Sequence, residues 1–358
     1  MKVIIVSHNF NPGHFSHLYA NYKLVTGSGL TSGFYWNDKF DKFLKDDEKK
    51  KVLKLNATDI SKNDIYVVWF PSLNALAEMV YLRLMSKGQI IYVLHEPFDS
   101  IKSYLDSGFT VLKTLKILAV SFINYLMVKC SHKIILPSSK AFTTFKLRYN
   151  FLGPSIKIPL MFDDEAVSIL PISKRKFISY IGTIAEDHAF DEYVKFIIHS
   201  ITNDWFPKYK FLIATKSFLP LDQRNLLLPH IESGAVILEE GSPMSNDKIN
   251  DYYNNSIVVW NAYRRSMQSG VLPKAYMFGA PLLVSTCNSS EYFNDREHGV
   301  IVSEKYDIDD LKMAVDDIIS HFEKYSKYCR DKFLKTFFYK ANEYKFINFV
   351  LDGMERGE

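Results

Sequence analysis

The chain has 358 residues and a formal charge of +4, far from the strongly basic footprint of a nucleic-acid binder. Hydrophobic residues at 47% and charged residues at 23% exclude a disordered or collagen-like chain, and the length suits roughly two domains. Three scattered cysteines (Cys130, Cys287 and Cys329), never in a CxxC, argue against a disulfide framework or zinc cluster and fit a reducing, cytoplasmic setting.

In chain order, the apolar run Val3–Val6 is too short for a signal-peptide core and reads as a first strand entering the polar loop Ser7–His14. Strand, glycine-containing loop and helix is how a doubly wound α/β domain begins, with the loop at the carboxyl end of the sheet. Ile65–Phe70, Ile90–Leu94 and Lys133–Leu136 are nearly continuously apolar, as strands covered on both faces are. Helices are expected over Leu73–Ser86, over Val111–Cys130, and from Ser139 to about Tyr149. Within Thr110–Lys129 the longest uncharged run, Ile117–Val128, falls short of the ~20 residues of a spanning helix. No transmembrane helix is therefore expected, and the leading reading of this segment is an internal crossover covered by the sheet. The residues from Pro159 to Arg175, with Pro171 and three acids, read as a linker. The alternation restarts with strands expected at Phe177–Ile181, Lys210–Ala214, Ala235–Leu238, Ile257–Trp260 and Pro281–Ser285, and the chain ends in an aromatic, helical tail over Cys329–Asp352. The expectation is an α/β chain of two Rossmann-like domains, 1–165 and 166–335, with a C-terminal helix in 336–358.

The most informative segment, Ile257–Thr286, reads as a strand, a loop, a helix opening near Gly270, the sequence Gly279-Ala280-Pro281 and another strand. A first turn carrying Ser269 and Gly270 offers unpaired N–H groups and the positive end of a helix dipole, which suits a diphosphate; an ordinary crossover capped by Ser269 is the alternative. Arg264, Arg265 and Lys274 flank that turn and Lys216 follows the Lys210–Ala214 strand, so cations are available for the phosphates.

This segment resembles the donor-binding signature of GT-B glycosyltransferases, in particular the retaining family 4 (group 1) enzymes of bacterial surface polysaccharide synthesis. Gly279-Ala280-Pro281 matches their Gly-x-Pro closure, Tyr180-Ile181-Gly182 their entry into the second domain, and Cys130–Ser138 the last strand of their first. The two glutamates of that pattern fall at Ser266 and Lys274, its arginine at Thr183, and His188 stands nearest to its lysine. The resemblance implies two Rossmann-like domains facing across a cleft, the first binding acceptor and the second nucleotide sugar, with the final helix crossing back to the first. It implies a donor site of Gly182, Thr183, Lys216, Arg264, Arg265, Ser269, Gly270, Val271 and Lys274, with Glu240 near the base or ribose and Gly13 over the donor or acceptor. Candidate catalytic residues are His14, which follows the first strand, and His95 and Glu96, which follow the Ile90–Leu94 strand and suit a general base. His17, one turn beyond His14, is expected to stabilise its helix.

There is no GxGxxG after the first strand, no GxxxxGK[ST], HExxH or GxSxG, and no Asp-x-Asp flanked by strands. No metal and no cofactor is expected beyond a nucleotide diphosphate sugar as donor substrate. The implied activity is a hexosyltransferase acting on a saccharide acceptor, free or lipid-linked. The alternatives are a GT-B-like sugar-nucleotide epimerase and a degenerate, non-catalytic partner subunit. Lys113, Lys116, Lys129 and Lys133 around an apolar body suit peripheral contact with the anionic inner face of a membrane.

Overall fold

Runs that are apolar at every position need cover on both faces, and only a parallel sheet between helix layers supplies it. In the computed structural model, which describes residues 1–44, 46–49, 64–85, 88–288 and 290–352, these runs form two six-stranded, all-parallel sheets. The chain divides into two units. The first holds Met1–Asp106, Thr110–Asp163 and the chain from Thr336 on; the second holds Ser107–Phe109 and Asp164–Lys335.

In the first unit the strands are β1 (Lys2–Ser7), β2 (Thr31–Trp36), β3 (Ile65–Trp69), β4 (Gln89–Val93), β5 (Lys133–Leu136) and β6 (Ser155–Lys157), in the order β2-β1-β3-β4-β5-β6. β1 pairs with β3 from Val3 opposite Ile65 to Val6 opposite Val68. The chain leaves β1 towards β2 on one side and returns to β3 on the other, so the crossover direction reverses between β1 and β3. At such a switch point the loops diverge and open a crevice at the carboxyl ends. The helices are α1 (Phe15–Gly27), α2 (Asp46–Lys49), α3 (Leu73–Leu84), α4 (Ile101–Asp106), α5 (Val111–Cys130) and α6 (Ser139–Arg148). Ser72, Thr110 and Ser138 open α3, α5 and α6 by accepting an N–H of the first turn. Ser86, the expected end of α3, lies outside the described residues.

In the second unit the strands are β7 (Phe177–Ile181), β8 (Lys210–Ala214), β9 (Val236–Glu239), β10 (Ser256–Asn261), β11 (Leu282–Ser285) and β12 (Gly299–Val302). Their order, β12-β11-β10-β7-β8-β9, reverses between β7 and β10, which makes that pair the switch point. The helices are α7 (Phe190–Thr202), α8 (Leu221–Glu232), α9 (Asn246–Asn254), α10 (Val271–Met277), α11 (Ile308–Ser320) and α12 (Phe322–Lys332). Gly279 after α10 has φ +58, and a Cβ there would meet Ser326 Oγ at 2.5 Å, so the Gly-Ala-Pro closure needs its glycine.

Three expectations change. α5 has the expected bounds, but the sheet does not cover it: only Thr114, Asn124, Met127 and Val128 are buried. Leu112 is 66% exposed and Phe122 62%. Over its 20 residues it is also long and apolar enough, by length and composition, to cross a membrane, because its lysines sit towards the ends of the helix. The Pro159–Arg175 stretch is packed rather than loose. Leu160, Met161 and Phe162 are buried in the first unit, and Phe162 bridges to Phe338. In the second unit Arg175 donates to the carbonyls of Leu170, Tyr253, Ser256 and Phe278; burial pulls its guanidinium down to about 10, which still leaves it charged at neutral pH. The tail, finally, is broken rather than one helix. A π-turn (Phe333–Phe337) and a 3-10 turn (Tyr339–Asn342) precede α13 (Glu343–Leu351). Within the first unit the buried Lys133 Nζ caps α13, donating to the carbonyls of Phe349, Val350 and Asp352.

Candidate functional site

The loops after β1, β3 and β4 meet at the switch point of the first sheet. Asn11 shapes the β1 loop: its side chain accepts from Gly13 N at 3.2 Å, its carbonyl accepts from His14 N at 2.9 Å, and its amide lies 3.2 Å from His14 Nε2. The His14 ring stacks on Phe70 at 3.4 Å and 13°, and Phe70 lies 5.8 Å from the His95 ring. Phe70, directly after β3, has φ +59, a left-handed backbone that a bulky residue rarely adopts. Asn9 Nδ2 donates to Pro71 O at 2.6 Å, and the His8 and Glu78 side chains meet at 2.5 Å, so the β1 loop is tied to the β3 loop and to α3. Burial lowers the His95 pKa, partly opposed by the charge of Glu96. His95 is therefore a neutral imidazole with a lone pair at neutral pH, and Glu96 beside it is exposed. Gly13 is exposed at the tip of the β1 loop. His17 lies below this layer, edge-on to Phe162 at 4.4 Å, and packs rather than reaching the loops.

The second sheet gathers a different set at its own switch point. Gly182, at the end of β7, has φ +152, and a Cβ built there would lie 3.8 Å from Val271 and 3.9 Å from the Tyr263 hydroxyl. The glycine thus leaves bare backbone facing the first residue of α10. The Thr183 carbonyl accepts from Tyr180 Oη at 2.8 Å and faces His188 Nδ1 at 2.7 Å, while the His188 ring stacks on Tyr263 at 4.1 Å. The loop after β10 is fastened to the same segment. Arg264 N donates to Asp187 O at 2.7 Å, and the Arg264 guanidinium reaches Glu186 O and Asp191. Arg265 is 4% exposed, with Asp187 3.9 Å away. Asn288 holds Asn261 through two bonds of 2.7 Å, and Asn261 Nδ2 donates to Ser269 Oγ at 3.4 Å.

α10 differs from the anion-binding helix that the sequence led us to expect. It has seven residues, Val271 N donates to Ser269 Oγ at 3.2 Å, and Pro273 carries no N–H. Few amides of its first turn remain for an anion, and the arginines gain weight accordingly. Lys274, expected at the phosphates, turns away: it is 7% exposed and donates to Glu165 Oε2 at 2.8 Å, Asn250 Oδ1 at 3.0 Å and Asn246 Oδ1 at 3.3 Å. Glu240 pairs with Arg224 and accepts from Leu219 N at 2.8 Å, so its carboxylate clasps the loop after β9 to the loop after β8. Lys216 is exposed in that β8 loop. Gly182, Thr183, Arg264, Arg265, Ser269, Gly270 and Val271 are thus brought to one place, but the Arg264 guanidinium is held by Glu186 and Asp191, and Lys274 and Glu240 are engaged elsewhere. The sequence reading missed Phe70, which it placed inside a strand, and Asn261 and Tyr263, whose signal was a position directly after the apolar run Ile257–Trp260. Among the described residues, no group of three or more His, Cys, Asp or Glu is placed to hold a metal ion.

No protein-family model matches the chain, and no curated protein sequence does. Solved structures do. A sucrose-phosphate synthase from Thermosynechococcus elongatus aligns over 99% of both chains at 10% identity, with a TM-score of 0.71. A glycosyltransferase from Rickettsia africae aligns over 99% of both at 11% identity and the same TM-score. Anabaena HepE, solved in complex with UDP-glucose, aligns over 98% of this chain and 99% of its own at 10% identity and a TM-score of 0.69. These structural neighbours are GT-B glycosyltransferases, and likeness at such identities shows the fold: the chain has the GT-B fold.

Proposed function

We propose that the chain is a glycosyltransferase resembling the family 4 type, moving a hexosyl group from a nucleotide diphosphate sugar to a saccharide hydroxyl without a metal. The observation that carries the reading is the second switch point, where Gly182 bares its backbone beside Val271 and two arginines are fastened alongside. Such a site suits a dianionic leaving group, with the Arg265 guanidinium, and that of Arg264 once it exchanges Asp191 for phosphate, taking the charge that a metal would otherwise meet. The acceptor oxygen attacks the anomeric carbon, the bond from that carbon to the diphosphate oxygen breaks, and the diphosphate leaves with the electron pair. In a retaining reaction the proton passes to the leaving phosphate oxygen; in an inverting one His95 or Glu96 takes it. HepE binding UDP-glucose supports a nucleotide-sugar donor.

The acceptor, in this reading, is lipid-linked and met at the cytoplasmic face of a membrane during polysaccharide assembly. α5 supports it: its outward face carries Leu112, Leu115 and Phe122, it has three lysines, and none of its 20 residues is acidic. α6 adds Lys140, Lys146 and Arg148, again without an acid. A second copy of this surface would set lysine against lysine, whereas an anionic leaflet meets both the charge and the apolar side chains. Thr114 and Asn124 hold the other face of α5 in the unit, Asn124 accepting from Tyr92 Oη, so the helix lies on the surface instead of crossing it.

Thermal unfolding against UDP, GDP, ADP, CMP and dTDP, with and without Mg²⁺, tests the donor half. A ligand at 100 times its Kd adds about 2.7 kcal/mol. One diphosphate shifting the midpoint without Mg²⁺ supports the reading. No shift with any of them points to the non-catalytic alternative, which the buried Lys274 in place of a glutamate favours. Flotation with phosphatidylglycerol vesicles, against phosphatidylcholine alone, tests the membrane half: binding to the first only is expected, and Phe122→Glu abolishes it.

A further inference from the structure

We propose that Phe70 is a positioning residue that places the two candidate imidazoles of the first unit, His14 and His95. The proposal deepens the reading in which this unit handles the acceptor, and rests on it. Phe70 follows the last residue of β3 at the switch point, and its φ of +59 is a conformation that glycine or asparagine would take with ease. A strained backbone at a bulky side chain persists only where the surroundings over-determine it, and such residues gather at functional sites. Here the strained residue presents its ring to the candidate catalytic histidines. The His14 ring lies flat on it at 3.4 Å and 13°, and His95 lies 5.8 Å away at 43°.

Both sides of the stack are fixed independently of it. Asn11 builds the turn that carries His14, and Asn9 joins the β1 loop to Pro71, the residue after Phe70. The ring is 7% exposed, so it buttresses the imidazoles and presents no open platform to a sugar. Its ring is also a neighbour of the half-buried His95, 5.8 Å away, whose pKa burial lowers against the charge of Glu96. An apolar residue without a ring fills part of the same space but gives His14 no flat face and His95 less shelter.

The test reads the imidazole carbon-bound protons by NMR in the full chain, with His14 and His95 assigned through His14→Gln and His95→Gln. In the wild type the His14 signals are expected upfield of the other histidines, from the ring current of Phe70. In Phe70→Leu that shift disappears and the His95 titration midpoint rises towards its ordinary value, while Phe70→Tyr retains both. Turnover follows: in Phe70→Leu kcat falls about 100-fold with donor KM unchanged, and Phe70→Tyr restores it. Unshifted His14 signals in the wild type would overturn the proposal even if Phe70→Leu does not fold. So would a folded Phe70→Leu with an unmoved His95 midpoint. A wild type that turns over no donor, with these signals as expected, counts against the transferase reading instead.

Discussion

The two sheets of this chain have the same size and strand direction, and each has one switch point with an imidazole stacked on an aromatic ring, yet the loops there differ in charge. The first gathers His14, Phe70 and His95, aromatic rings at carboxyl ends. The second has a ring stack of its own, His188 on Tyr263, but adds a bare glycine backbone and the guanidiniums of Arg264 and Arg265, with Asp191 and Asp187 beside them. The architecture fixes where a ligand sits and leaves its charge to the loops. A site of rings and neutral imidazole suits neutral hydroxyls and proton transfer; a site of arginines and open backbone suits phosphate.

Substitutions that strike one half and spare the other test this contrast. The largest effect is expected from His95→Gln in an inverting reaction: turnover falls 10²–10⁴-fold, the usual contribution of a general base, while the thermal shift with nucleotide is unchanged. Loss of nucleotide binding in that variant would erase the division of labour. Glu165→Gln strikes the second unit through its buried pair, leaving the Lys274 ammonium without its counter-charge at a cost of about 3–5 kcal/mol in urea unfolding. It carries a pH signature as well. Burial pushes the Glu165 pKa up, but the Lys274 charge and the amides of Asn250 and Asn246 outweigh it and hold the group below its ordinary value. The stability this gives is present above the unfolded-state carboxyl pKa and is lost as pH falls through the lower, folded value. Wild type therefore loses stability across that acid window, and Glu165→Gln does not share this loss.

Gly182→Val comes next. Its side chain enters the space before Val271 and Tyr263, in a backbone that favours glycine, so the stabilisation of about 2.7 kcal/mol by saturating nucleotide disappears while the His14 and His95 NMR signals stay. The smallest effect is Lys133→Met in the first unit, which removes the cap of α13 at about 1–3 kcal/mol. Hydrogen exchange then rises over Glu343–Leu351 while the second unit is unaffected.

Much of the architecture was legible because buried parallel strands write themselves as unbroken apolar runs: Lys133–Leu136, Phe177–Ile181 and Lys210–Ala214 are strands to the residue. The three strands that escaped notice, β2, β6 and β12, are all edge strands. Each has one neighbour, and β6 is only half-buried along its length, so no continuous run marks it. At the sites, glycine and histidine after a strand were readable as residue types. The left-handed turn at Phe70 was not, because nothing in a phenylalanine announces a conformation it disfavours. Nor was the direction of Lys274, whose partner Glu165 stands 109 residues earlier in the chain. α5 shows the same limit: composition told that the helix was apolar, and only packing decides which face is covered.

The central claim is that the second switch point holds the diphosphate of a nucleotide sugar. Hydrogen–deuterium exchange of the full chain with UDP, GDP, ADP, CMP and dTDP, each in turn, tests it most directly. One of the four diphosphates, and not CMP alone, is expected to protect the amides of residues 182–188 and 261–272. Protection confined to the loops after β1 and β4, or none at these residues with any of the five, would contradict it.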